Sequence, residues 1–190
     1  MKRILSSITL AIVAAAVLAG CGGNSDNEPS AGATFNSADV TFAQSMIPHH
    51  EQAVVMAKMA PMHASSSTVK QLADKIEAAQ APEIEEMTGW LKAWGKDTES
   101  GSSGHGMDGM DGGDMPGMMS DAEMADLEKA SGSAFDEMFL TMMISHHQGA
   151  IDMAKTEQMD GKSPDAIRLA KQIQSAQTAE ITYMQSLLKS

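Results

Sequence analysis

Twice along the chain a methionine stands three residues ahead of two adjacent histidines, as Met46-Ile-Pro-His49-His50 and as Met143-Ile-Ser-His146-His147. Imidazole nitrogen suits copper among other metals, while thioether sulfur favours Cu(I) and is a poor ligand for Mg, Ca or Mn. A further group, His105, Met107, Met110, Met115, Met118 and Met119, lies in a run where glycine and aspartate surround every methionine. Methionine ordinarily fills gaps in cores, but a run with that composition has no core to fill. These side chains therefore read as soft ligands on a segment able to fold around an ion, Cu(I) first and Ag(I) beside it. Eighteen methionines against four Phe, two Trp and one Tyr make this the strongest compositional signal. The single cysteine, Cys21, leaves neither a disulfide framework nor a thiolate site, so N, O and thioether ligands remain. Asp108, Asp111 and Asp114 are spaced by three and Met119 falls at the twelfth position, which does not fit an EF-hand calcium loop.

The elements that must position these groups are organised by a repeat. Displaced by 97 residues, Asp39 to Lys92 aligns without a gap on Asp136 to Lys189. Phe42, Met46, His49, His50, Ala53 and Met56 fall on Phe139, Met143, His146, His147, Ala150 and Met153. In a second block Leu72, Ile76, Gln80, Glu83 and Met87 fall on Leu169, Ile173, Gln177, Glu180 and Met184. Apolar residues three and four apart predict a helix for each block, with turns near Pro61 to Thr68 and Asp160 to Pro164. One amphipathic hairpin cannot hide its apolar stripes, whereas two related hairpins packed together can. The expected fold is all-α, a four-helix bundle of two duplicated helical hairpins, 37–94 and 121–190, joined by a mobile Met-, Gly- and Asp-rich linker over 95–120.

At about 100° per residue, Phe42, Met46, His49, His50, Met56 and Ala57 share the inward stripe with Ala53, while Glu51, Val55 and Lys58 point away. The same wheel places His146, His147, Met143 and Met153. On the second helix Gln80 lies at the centre of the stripe and Glu83 at its edge, and Gln177 and Glu180 repeat them. Burying such groups unpaired costs about 1 to 3 kcal/mol each, so their expected partners are the facing histidines. Two readings stand for this layer: hydrogen-bonded core packing, or metal ligands with the Gln and Glu side chains behind them. Pro48 and Pro82 fall inside helical patterns where the second half has Ser145 and Ala179, which predicts a kink beside His49 and His50 in the first half only.

The N-terminus supplies a compartment. Lys2 and Arg3, the apolar run Ile8 to Leu18, and Leu18-Ala19-Gly20-Cys21 have the regions of a secretory signal over 1–20. A cleavage site ending in cysteine is similar to the bacterial lipobox, in which Cys21 is lipidated and becomes the mature N-terminus. At about 0.8 kcal/mol per buried methylene, two acyl chains hold a protein at a membrane. Residues 21–36 then form a flexible tether. Removing the signal takes away two of 13 Lys and Arg and no acid, leaving 11 against 25 Asp and Glu, near −14. That field repels a phosphate backbone and draws cations, which excludes nucleic acid as a partner.

On its two Met-Ile-x-His-His motifs, each with Asp and Phe upstream at Asp39, Phe42, Asp136 and Phe139, the chain resembles a bacterial exported family, domain of unknown function three hundred and five. The resemblance runs from Asp39 to the C-terminus. It implies a ferritin-like bundle, export, and copper handling in some members. Carried over by motif, it implies His49, His50, His146, His147, Met46, Met56, Met143 and Met153 as functional positions.

The leading expectation is an exported, lipid-anchored protein, facing periplasm or exterior, that binds Cu(I) or Ag(I) for sequestration, tolerance or delivery without catalysis. Its partners would be the metal ion, the membrane through its lipid, and a metal-exchange protein or a second copy of the chain. The alternative is a copper or iron oxidase with His49, His50, Glu83 and their repeats around a buried ion. No G-x-S-x-G, H-E-x-x-H or nucleophilic cysteine supports an enzyme, and the Glu-x-x-His of ferritin-like di-iron sites is missing too. A third reading is an oxidant-quenching or structural surface protein.

Overall fold

The computed structural model describes residues 34–98 and 115–189, which carry α1 Ser37–His63, α2 Ser67–Trp94, α3 Asp121–Lys129, α4 Ser133–Asp160 and α5 Pro164–Leu187. The four long helices form the expected all-α bundle. The short α3 is an addition that the apolar period does not announce, although Ser120 and Glu123 form a capping box at its start. Asn36 begins α1 in the same way: its side chain accepts from the Ala38 and Asp39 amides while Asp39 reaches back to the Asn36 amide. Phe35 stacks on Trp94 at 4.7 Å, so the last residues of the expected tether are packed on the bundle. Ser66 and Ser163 cap α2 and α5, and Gly95, at φ 67°, ends α2 in the left-handed conformation that costs glycine least. The helices run unbroken through Pro48, Pro61 and Pro82. The first turn accordingly falls at 64–66, later than Pro61 suggests.

Each hairpin packs on itself, α1 on α2 and α4 on α5, and the halves meet along α1 and α4. These two run antiparallel, for the Gly132 amide donates to the His63 carbonyl at one end and the Asn36 side chain to the Asp160 carbonyl at the other, both at 2.8 Å. A pair of reciprocal clamps locks them. Asp39, fully buried, accepts from the Lys162 and Ser163 amides ahead of α5 at 3.0 and 2.8 Å. Asp136, its repeat, accepts from the Ser66 amide at 3.0 Å and from the Ser65 hydroxyl ahead of α2. Each hairpin thus supplies the anionic acceptor that a helix N-terminus of the other lacks, an arrangement with approximate twofold symmetry.

Two apolar clusters fill the bundle. One contains Met56, Ile76, Phe135, Phe139, Met143 and Met184; the other contains Phe42, Met46, Met87, Leu91, Leu169 and Ile173. The repeat exchanges members between them, as Met46 for Met143 and Phe42 for Phe139. None of the four paired histidines belongs to either cluster, yet all are 0 % exposed. Among the described residues no helix is long and apolar enough to cross a membrane.

Candidate metal centre

The inward stripe of α1 is as the wheel gives it. Met46, His49, His50, Ala53, Met56 and Ala57 are buried, whereas Glu51, Val55 and Lys58 are exposed. On α4, Met143, His146, His147 and Ala150 are buried and Met153 is half-buried against the second cluster.

Adjacent helical residues point about 100° apart, so the two histidines of a pair face different neighbours. His50 faces α2 within its own hairpin, where Nε2 meets Glu83 Oε2 at 2.7 Å; His147 meets Glu180 Oε2 on α5 at 2.6 Å. His49 and His146 face each other across α1 and α4 with ring centroids 3.7 Å apart and planes tilted by 38°. Since these two residues are repeat partners, the pseudo-twofold axis passes between their rings. His49 Nε2 lies 3.2 Å from the Pro116 carbonyl oxygen. A carbonyl or carboxylate oxygen only accepts, so His49, His50 and His147 each carry a proton on Nε2. All three Nδ1 atoms are buried without a hydrogen-bond partner, as are both ring nitrogens of His146.

Burial, followed by repulsion from His50, pushes the His49 pKa down to about 3, against a smaller lift from the Pro116 carbonyl. Burial and the charges that His49, His147 and His50 would carry hold His146 well below the usual imidazole range, and the nearby His49 carbonyl only partly offsets them. Both are neutral at physiological pH and keep a free lone pair. A ring that donates one N–H to a fixed oxygen and presents the other nitrogen unpaired is the arrangement of a metal-binding histidine.

Among the described residues no three His, Cys, Asp or Glu side chains stand together as a cage for an ion. Imidazole nitrogen and thioether sulfur are the donor types that these buried stripes carry, since Met46, Met56 and Met143 are all fully buried on the same helices. This donor set fits a soft monovalent ion and fits Mg or Ca poorly.

Two expectations need correction. Gln80 and Gln177 are buried, at 3 % exposure each, but do not bond to the histidines: both polar atoms of Gln80 and Oε1 of Gln177 lack partners. Glu83 and Glu180, three residues further on, take Nε2 of His50 and His147 instead. The linker is not free along its whole length either, because 115–120 packs on the bundle. Met115 to Met118 is a β-turn closed by the Met118 amide on the Met115 carbonyl at 3.1 Å, with Gly117 at φ 80° behind Pro116, as a type II turn requires. Met119 is buried in the cluster that contains Met56 and Met143, while Met115 and Met118 are half-buried. Cys21, His105, Met107 and Met110 lie outside the described residues. Sequence reasoning missed Gln52, whose amide holds Met119, and Gly149, over which Pro116 passes. The Pro-Gly dipeptide was the available signal for a turn here.

The model of the family described as "Domain of unknown function (DUF305)" matches residues 39–188. The chain belongs to the DUF305 family. A DUF305 protein of Streptomyces coelicolor, described as secreted, is 33 % identical with a TM-score of 0.72, over 80 % of this chain and 93 % of that one. A DUF305 fragment from Deinococcus radiodurans is 32 % identical with a TM-score of 0.71, over 81 % and 97 %. CopM, solved in Cu(I)-, Cu(II)- and Ag-bound forms, is 30 % identical in its Cu(I) form with a TM-score of 0.64, over 80 % and 95 %. No match was found among curated proteins.

Proposed function

We propose that this DUF305 protein is an extracytoplasmic lipoprotein that binds Cu(I), and by the same chemistry Ag(I), through imidazole and thioether, for sequestration, tolerance or delivery. The carrying observation is the set of buried, unpartnered Nδ1 atoms on three histidines whose Nε2 atoms are fixed by acceptors. A layer kept only for packing would place partners on those nitrogens, because an unsatisfied buried polar atom costs about 1 to 3 kcal/mol. A soft ion repays that cost. His49, His50, His146 and His147 supply nitrogen; Met46, Met56, Met143 and Met153 supply sulfur within the bundle, and His105, Met107, Met110, Met115, Met118 and Met119 supply ligands from the linker. Glu83 and Glu180 orient two of the rings. The metal-bound forms of CopM support the same chemistry in a relative of similar fold. The oxidase alternative needs a nitrogen and oxygen cage, for which the described residues offer no group of three.

Anaerobic Cu(I) titration of the mature chain against a competing chelator tests the reading, beside variants with both His49 and His146 changed to alanine and with 104–114 deleted. Tight binding that the double variant weakens is the expected result. A wild-type chain that leaves Cu(I) with the chelator would overturn it.

A further inference from the structure

The β-turn at the end of the linker crosses the bundle beside its pseudo-twofold axis, and the two helices beneath it treat it differently. The repeat that pairs His49 with His146 also pairs Gln52 on α1 with Gly149 on α4. Gln52 grips the turn: its Nε2 donates to the Met119 carbonyl at 2.8 Å and its Oε1 accepts from the Met119 amide at 2.7 Å. A two-point contact of this kind mimics a rung of a sheet and fixes direction as well as position. Gly149 makes room instead. A Cβ there would lie 1.8 Å from the Pro116 carbonyl oxygen, and one on Gly117 would lie 2.6 Å from the Ser145 carbonyl oxygen. Backbone therefore lies on backbone, and the Pro116 carbonyl is delivered to His49 Nε2. His146, on the side without a clamp, has neither ring nitrogen in a hydrogen bond.

We propose that Gln52 is the positioning residue that seats the Met115 to Met118 turn on His49, so that thioethers of the turn and imidazoles of the bundle serve one ion rather than two separate sites. This rests on the copper reading and extends it from a list of ligands to an assembled site. The corners of a β-turn have Cα atoms within about 7 Å of each other, so Met115 and Met118 flank the carbonyl that meets His49. Seating them makes their capture of an ion already held by imidazole an intramolecular event, which raises affinity without any new contact. The Pro116 carbonyl also fixes the His49 proton on Nε2, the ring edge on which the turn sits, while both ring nitrogens of the stacked His146 stay unpaired to meet an ion beside the turn. The breach of symmetry at Gln52 and Gly149 is then what allows one turn to serve an otherwise twofold layer.

The test uses the full chain with Gln52→Ala, Gln52→Glu and the control Gln148→Ala, an exposed α4 glutamine bonded to Asp152. Without metal, amide exchange at Met119 should be slow in wild type and in Q148A, fast in Q52A, and intermediate in Q52E, which keeps the acceptor but not the donor. With Cu(I), Q52A should bind on the order of tenfold more weakly, and X-ray absorption should give a lower ratio of sulfur to nitrogen around copper. Unchanged exchange at Met119 in Q52A would overturn the proposal. So would a freed turn with affinity and ligand ratio intact, or equal weakening in Q148A. If wild type bound no Cu(I), the copper reading and the shared site would both fall, and the metal-free exchange would still report separately whether Gln52 seats the turn.

Discussion

The two hairpins are copies of one design, and they agree in the middle of the bundle more than at its ends. His50 on Glu83 and His147 on Glu180 differ by 0.1 Å, and the other two histidines meet each other on the axis. Away from that layer the copies part. Asp39 is buried and shares its end of the bundle with Glu157, while Asp136 is half-buried and the residue matching Glu157 is Ala60. One further difference lies beside the layer itself, where Gln52 is matched by Gly149. Residues that meet their own repeat partner on the axis must match for the layer to close, whereas each end clamp closes on a separate loop of the other hairpin and can diverge.

The sharpest way to break this comparison is at the clamps. Asp39 accepts three backbone amides and Asp136 one amide and a hydroxyl, so their loss should be unequal. Asp39→Ala should cost about 3 kcal/mol, with Asp136→Ala costing about half as much, read from urea unfolding. Equal losses would mean that the extra burial at the first end contributes nothing.

Glu157 gives an effect that only one half can show. Burial, with the Asp39 carboxylate beside it, pushes its pKa from 4.5 up to about 9. The folded chain therefore binds a proton that the unfolded chain releases, and stability should fall as pH rises from about 4.5 to about 9. Glu157→Ala, which installs the residue of the other half, should flatten this slope and raise stability at mildly alkaline pH. An unchanged slope would remove Glu157 from the account. His49 works at the opposite limb: its pKa falls from 6.5 to about 3, so stability should drain away as pH drops below about 6.5.

The smallest effect should come from the buried amides. Gln80 and Gln177 have unpartnered polar atoms in both halves, so Gln80→Leu and Gln177→Leu should each leave stability within about 1 kcal/mol of wild type, or raise it. A loss of several kcal/mol on either side would reveal a partner that matters to that hairpin.

Much of this was legible in the sequence. The 97-residue offset and the helical period give the bundle, and the wheel gives the buried faces of Met46, His49, His50 and their repeats, with Glu83 and Glu180 at the edge. The wheel cannot say which histidine of a pair looks to the neighbouring hairpin, because both lie within the apolar arc and only the crossing of α1 on α4 decides. It also expected histidine partners for Gln80 and Glu83 alike, and only Glu83 has one. The docked turn was hidden because a Gly- and Asp-rich run has no period. The Pro116-Gly117 dipeptide marks the turn but not the glycine on α4 that receives it. The capping box at Ser120 was a readable sign of α3.

The central claim is that the unpaired ring nitrogens of His49 and His146 in the middle of the bundle take up a soft metal ion. It is tested most directly by nitrogen-15 NMR of the histidine rings of the full chain before and after one equivalent of Ag(I), a closed-shell ion that leaves the spectrum sharp. The account expects the His49 and His146 resonances of unprotonated ring nitrogen to shift on binding, while Nε2 of His50 and His147 stays protonated against Glu83 and Glu180. Silver bound tightly with every ring nitrogen unmoved would contradict it, and would return the histidines to the role of core packing.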